Sequence, residues 1–158
     1  HPHIYGDVKV ENEEDVKRNW ENLKLKEGKT SVLEGVPKSL PALVKASRIQ
    51  DKVSGVGFDW EEPQQVFEKL KEELEELQHE VTEDNQDLIE AEFGDVLFSM
   101  INYARFLKVN PENALERTNK KFIKRFQYLE QKAKQQGKAL ADMTLTEMDV
   151  YWNEAKML

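Results

Sequence analysis

Apolar residues recur along this chain at spacings of three and four, and no segment alternates apolar with polar as a half-buried strand would. Val16, Trp20 and Leu23 give a charged helix over Asn12–Glu27 one apolar stripe. Gly28, Gly35 and Pro37 then mark a linker. Ser39 reads as the cap of the next helix, with Pro41 in its first turn and Gly55 at its end. After the loop GVGFDWEEP, a stripe of Phe67, Leu70, Leu74, Leu77 and Val81 predicts a helix over about Gln64–Thr82. Residues 83–86 turn the chain into a helix predicted for about Asp87–Leu107. From Phe93 onward that helix is apolar on most sides, interrupted by Gly94, Asp95, Ser99, Asn102 and Arg105. Asn110 caps the next helix, with Pro111 at its first position and Gly137 at its end; Leu115, Thr118, Phe122, Phe126 and Leu129 are its expected buried stripe. Thr144 and Glu147 have capping-box spacing for a last helix, which carries Trp152. The pattern predicts an all-α fold, a bundle of antiparallel helices of roughly 15–25 residues. Residues 1–36 are read as an N-terminal arm and linker helix, and 37–158 as the main domain.

Composition narrows the chemistry. The 158 residues are 39% hydrophobic and 34% charged, with 31 acidic against 23 basic side chains and a net charge of −8. That balance gives no general electrostatic affinity for nucleic acid or for an anionic membrane. A protein of this charge that handles phosphates needs a metal or a local basic patch. There are no cysteines, which excludes disulfides and thiolate zinc sites. No apolar run reaches membrane-spanning length and no signal peptide is visible, so a cytoplasmic location is expected. The chain begins at His1 without a methionine and is read as a fragment or a trimmed piece.

Glu92 and Asp95 stand three apart on the most apolar helix, with Gly94 between them. A buried carboxylate without a partner is costly. At about 100° per residue, Glu92, Asp95, Ser99 and Asn102 share one helix face. On the preceding helix Glu73, Glu76 and Glu80 share one flank of the leucine stripe. A short turn makes the two helices antiparallel neighbours, so two carboxylates from each converge. Four such groups cannot all stay ionised without a cation among them, and all-oxygen ligands favour Mg²⁺ or Mn²⁺ over zinc. The competing explanations are a solvated acidic face for EKLKEELEELQHE and a salt bridge to Lys or Arg for Glu92 and Asp95. Gly94 admits close approach by a neighbouring helix or by a ligand, packing being the simpler account.

Lys121 and Arg125, four apart in RTNKKFIKRF, stack on one face and are suited to clamp phosphate oxygens or to serve as surface charges. Trp60 and Trp152 are suited to stack on a base or to fill a core. Glu76 and His79 have the Glu-x-x-His spacing of half a di-iron site, but Glu92 is followed at the third position by Asp95, which speaks against an iron centre.

Glu72-Glu73-Leu74-Glu75-Glu76 and, about fifteen residues on, Glu92-Phe93-Gly94-Asp95 resemble the acidic motif of the MazG family, all-α nucleoside triphosphate pyrophosphohydrolases. The stretches HPHIYGDVKVENEEDVKRNWENLK, VPKSLPALVKASRIQDKVSGVGFDW, EFGDVLFSMINYARF and NKKFIKRF resemble it too, so the likeness covers nearly the whole chain. It implies hydrolysis of an NTP or dNTP between the α- and β-phosphates. It also implies Glu73, Glu76, Glu92 and Asp95 as Mg²⁺ ligands, Lys121 and Arg125 as phosphate contacts, and Trp152 as a nucleotide contact. Glu73 or Glu76 is the expected catalytic base. Asn102, on the metal-facing side, is added here as a ligand-orienting or sugar contact. Full-length members carry two tandem domains, and this chain looks like the C-terminal one with its joining helix, the competent one in the best-known members.

The apolar surface of the Asp87–Leu107 helix exceeds what one neighbour covers, and the family usually dimerises. A homodimer or dimer of dimers is therefore expected. The alternatives are a non-enzymatic helical interaction module, which requires polar residues around Glu92, and a di-iron carboxylate protein.

Overall fold

The computed structural model describes residues 30–158. The helix expected at Asn12–Glu27, and most of the segment read as arm and linker, lie outside the described residues. Among the described residues there are five α-helices and no strand: α1 Ala42–Ser54, α2 Pro63–Glu83, α3 Gln86–Phe106, α4 Pro111–Gln135 and α5 Leu145–Lys156, with a short 3-10 helix Leu140–Asp142 before the last. The fold is all-α, as the spacing predicts. None of the described helices is long and apolar enough to cross a membrane. The chain forms two compact units divided after Pro111.

In the first unit α2 and α3, each of 21 residues, make a helical hairpin. Pro63 opens α2 at a position whose N–H would be unpaired anyway. The Gln65 side chain turns back to accept from the backbone N–H groups of Glu61 and Glu62. Asp84 takes a left-handed conformation, φ 55°, and stops α2. Asn85 caps α3 by accepting from the Leu88 backbone N–H at 3.2 Å. Two residues thus reverse the chain, and every later pairing between the helices inherits that tight link.

The α1 helix packs on α3, where the Gln50 side-chain amide donates to the Phe98 carbonyl at 2.9 Å. Here one expectation fails. Ser39 does not cap α1; Pro41 occupies the N-cap position, with no side-chain cap bond, and the helix begins at Ala42. A residue before proline is steered out of helical geometry, so Leu40 cannot carry a helix into Pro41.

The expected burial stripes also shift. In α2 the buried residues are Val66, Leu70 and Glu73, whereas Leu74 and Val81 are exposed. In α3 only Ser99 and Ile101 are buried, and Phe93 and Leu97 are about half exposed, at 53% and 50%. The helix predicted to be enclosed on most sides is open along much of its length within this chain. Gly94 does not serve close packing here: a methyl group added there meets no atom within 4 Å among the described residues.

The second unit pairs α4 with α5. Phe122 packs on Trp152 with ring centroids 4.9 Å apart, the Tyr128 hydroxyl donates to Glu154 at 2.9 Å, and Lys138 pairs with Glu147 at 2.7 Å. Leu129, Ala133, Met143 and Ala155 are buried, while Leu115 and Phe122 of the expected stripe are exposed. Thr144 caps α5 by accepting from the Glu147 backbone N–H at 3.1 Å. The Glu147 carboxylate accepts from the Thr144 hydroxyl and from Lys138 rather than closing the box through the backbone.

Because Gly94 lies mid-helix with open space around its Cα, Gly94→Ala should stabilise the metal-free protein by up to about 1 kcal/mol through helix propensity. The melting midpoint should rise by roughly 2–4 °C for a chain of this size. A lower midpoint would mean that something outside this chain packs against that spot.

Candidate functional site

Glu73 shares the buried face of α2 with Val66 and Leu70, seven and three positions before it. That face lies against α3, so the hairpin carries a carboxylate into its own interface. From α3, Glu92 is half-buried and Asp95 is exposed. One carboxylate oxygen from each of Glu73, Glu92 and Asp95 lies within 4.8 Å of the others. The cluster therefore grades from a buried ligand atom to one facing water.

The electrostatics follow that gradient. Burial raises the Glu92 carboxyl, the shared hydrogen bond with Glu73 raises it further, and the charges of Glu76, Glu73 and Asp95 push it up to about 7. Burial acts on Glu73 in the same direction, but hydrogen bonds from Lys69 and Glu92 outweigh it and hold Glu73 below the ordinary range. Lys69 lies one helical turn before Glu73 and pairs with it at 3.0 Å. The Lys69 ammonium is raised in return, chiefly by that hydrogen bond. Two carboxylates this close cannot both be freely charged, and one proton shared between Glu92 and Glu73 relieves them.

The group fits a hard cation. All the donors are carboxylate oxygens, which suit oxygen-seeking divalent ions. Glu73 Oε2 and Glu92 Oε2 are buried and have no hydrogen-bond partner among the described residues. Such orphaned acceptors are costly unless a proton or cation satisfies them. Lys69 supplies one positive charge to Glu73 Oε1 and leaves these two oxygens unserved.

The other residues singled out in the sequence are dispersed. Glu76 is exposed and does not belong to the three-carboxylate group, although its charge reaches Glu92. His79 is exposed. Asn102 and Trp60 border a separate cavity of about 470 Å³ in the first unit. Lys121 and Arg125 lie in the second unit, where they border a cavity of about 450 Å³ with Lys124 and Lys156. Trp152, half-buried against Phe122, lies in that same unit. Three residues that matter to these sites, Lys69, Gln50 and Asp59, went unnoticed in the sequence, and Arg105 was noted only as an interruption of an apolar run. Lys69 carries a local signal, the spacing of four to Glu73. Gln50, Asp59 and Arg105 act through contacts 46 to 48 positions apart, which local spacing does not reveal.

Residues 61–129 match the MazG nucleotide pyrophosphohydrolase domain family. The matched segment contains the whole α2–α3 hairpin and all three clustered carboxylates. The chain is 51% identical over 160 residues to "Uncharacterized protein YabN" of Bacillus subtilis, covering 99% of this chain and 33% of that protein. It is 40% identical to the "Nucleoside triphosphate pyrophosphohydrolase/pyrophosphatase MazG" of Thermotoga maritima, with 99% and 60% covered. It is 36% identical to the "Nucleoside triphosphate pyrophosphohydrolase" of Escherichia coli K12, with 99% and 62% covered. The chain thus spans between a third and about three fifths of these relatives.

The carboxylate pair imposes a pH dependence on the metal-free protein. Glu92 titrates above its ordinary 4.5 in the fold. Its contribution to stability is therefore fully present below pH 4.5 and is lost as pH rises through about 7. Glu73, held low, has the opposite sign and completes its change at lower pH. With a chelator present, the melting temperature should fall between about pH 5 and about pH 8, and Glu92→Gln should flatten that fall. Equal slopes in the two proteins would mean that Glu92 titrates normally.

Proposed function

The chain belongs to the MazG nucleotide pyrophosphohydrolase family through residues 61–129, and from that premise we propose that it hydrolyses nucleoside triphosphates to a monophosphate and pyrophosphate. The observation that carries this reading is the convergence of Glu73, Glu92 and Asp95, with two buried oxygens unserved, inside the matched segment. Residues 37–158 are read as the domain that carries the activity, acting on a cytoplasmic nucleotide pool.

Glu73, Glu92 and Asp95 are the groups that would hold the ion, with Glu76 at the margin as a fourth. Bound there, Mg²⁺ or Mn²⁺ supplies charge neutralisation at phosphate oxygens and an acidified water. The chain's own groups do the remaining work. Glu73 is buried and ion-paired to Lys69, which fits it for holding rather than for accepting protons. Glu76 is open to water and is the better placed of the two glutamates expected as base. One water is consumed for each anhydride bond broken, its proton passing to that carboxylate. Lys121 and Arg125 are assigned to phosphate oxygens, where a charged fork stabilises the negative charge that grows on the leaving pyrophosphate. Trp152 is assigned to the nucleotide.

Assembly belongs to the same proposal. Leu74, Phe93, Leu97 and Met100 are each about half exposed on α2 and α3, apolar side chains of the kind that a partner surface covers. A homodimer or dimer of dimers covers them.

Asp95→Asn should abolish pyrophosphohydrolysis while leaving metal-free stability unchanged or slightly raised, because it removes a charge from a crowded acidic cluster. Mg²⁺ should raise the wild-type melting temperature by mass action and the mutant's much less. A product assay with Mg²⁺ should give monophosphate and pyrophosphate in equal amounts; diphosphate with orthophosphate would sink the reading. Light scattering at micromolar concentration should show at least a dimer, and a clean monomer would remove the assembly proposal.

A further inference from the structure

Glu73 is the most deeply buried member of the acidic cluster, at 6% exposure, and its two oxygens are not equivalent. Oε1 takes the Lys69 ammonium at 3.0 Å. Oε2 is buried and has no hydrogen-bond partner among the described residues. The same ammonium lies 3.6 Å from an oxygen of Glu72, so it is held from two sides. Among the described residues no Lys or Arg pairs with Glu92 or Asp95. Glu73 is thus the member of the cluster that already carries a cation on one oxygen.

Helix stability does not account for the pair. Glu followed by Lys at a spacing of four is the more stabilising order on an α-helix, and here the order is reversed. The Lys69 side chain is 38% exposed, and ion pairs open to water contribute little to stability. A positive charge anywhere beside Glu73 would offset part of its burial. Contact with a single oxygen does something more specific, because it fixes the direction of the carboxylate. With Oε1 held, only Oε2 is left for a further ligand.

Divalent ions differ in what they require of a carboxylate. Ca²⁺ takes about six to eight oxygens in flexible geometry and often draws two of them from one carboxylate. Mg²⁺ is smaller, demands a near-octahedral shell and keeps several of its waters, so one oxygen from each carboxylate suits it. Glu73 tied through Oε1 can offer one oxygen freely. It can offer both only if the ion pair breaks.

We propose that Lys69 is a positioning residue that sets the ion preference of the cluster: by holding Glu73 Oε1 it confines Glu73 to one oxygen toward the ion, which favours Mg²⁺ over Ca²⁺. The proposal rests on the reading of Glu73, Glu92 and Asp95 as an ion site. Lys69 touches neither ion nor substrate in this role and acts through Glu73.

The test needs no nucleotide. Mn²⁺ bound to the chain is followed by electron paramagnetic resonance, and Mg²⁺ and Ca²⁺ are each titrated in to displace it. The readout is the ratio of the two displacement constants. Lys69→Met frees Glu73 Oε1 and should move that ratio towards Ca²⁺ by about tenfold or more, the usual weight of a partner that orients a metal ligand. Lys69→Arg keeps a cation on the oxygen and should hold the ratio close to that of the wild type. Lys69→Ala should repeat the result of Lys69→Met, and it carries the comparison if the Met variant loses its helical circular dichroism. An unchanged ratio in Lys69→Met, or tighter binding of both ions by the same factor, overturns the assignment and leaves the ion site standing; equal tightening would be the effect of charge alone. A shift in Lys69→Arg as large as in Lys69→Met also overturns it. A wild type that binds no Mn²⁺ overturns the ion site itself, and the assignment with it.

Discussion

Glu73 facing Glu92 across the α2–α3 interface is the contact on which the rest of this protein turns. Helices normally meet through apolar stripes, and here the stripe is broken by opposed acids. Desolvating a lone carboxylate costs several kcal/mol, so such a pair persists only with compensation. Lys69 offsets part of it through Glu73. A proton on the raised Glu92 carboxyl offsets another part. The hairpin therefore holds its acids together at the expense of its own stability, and the arrangement makes physical sense as a place for a cation rather than as packing.

The helices were legible in the sequence wherever an end carries a chemical marker. Pro111, Thr144 and Gly137 place boundaries to within a residue or two. Ser39 misled because a plausible cap followed by proline suggests an earlier start than the geometry of Leu40 permits. The faces were less legible than the ends. Spacing identifies a stripe but not which part of it meets a neighbour within the chain. Leu70 fits either choice, and the hairpin selects Val66, Leu70 and Glu73 over Leu74 and Val81.

The candidate site divides the same way. Glu73, Glu92 and Asp95 could be brought together on paper, because helical phase and a short turn are local rules. The Asp59–Arg105 bridge could not, since its partners are 46 positions apart and each reads alone as an ordinary charge. Arg105 was visible only as an interruption in an apolar run. An arginine there needs a partner, and nothing local names Asp59.

The two-residue reversal at Asp84 and Asn85 has a mechanical consequence. It acts as a gear lock between α2 and α3, since a tight link leaves the helices little freedom to slide. Adding one residue inside α2 between Glu73 and the turn would rotate Glu73 by about 100° and displace it about 1.5 Å along the axis, carrying it away from Glu92. Residues added within the reversal itself would leave the phase of each helix intact. The hairpin can therefore accept length changes at its tip over evolutionary time, while the nine positions between Glu73 and Glu83 are frozen in number even where their side chains are free to vary.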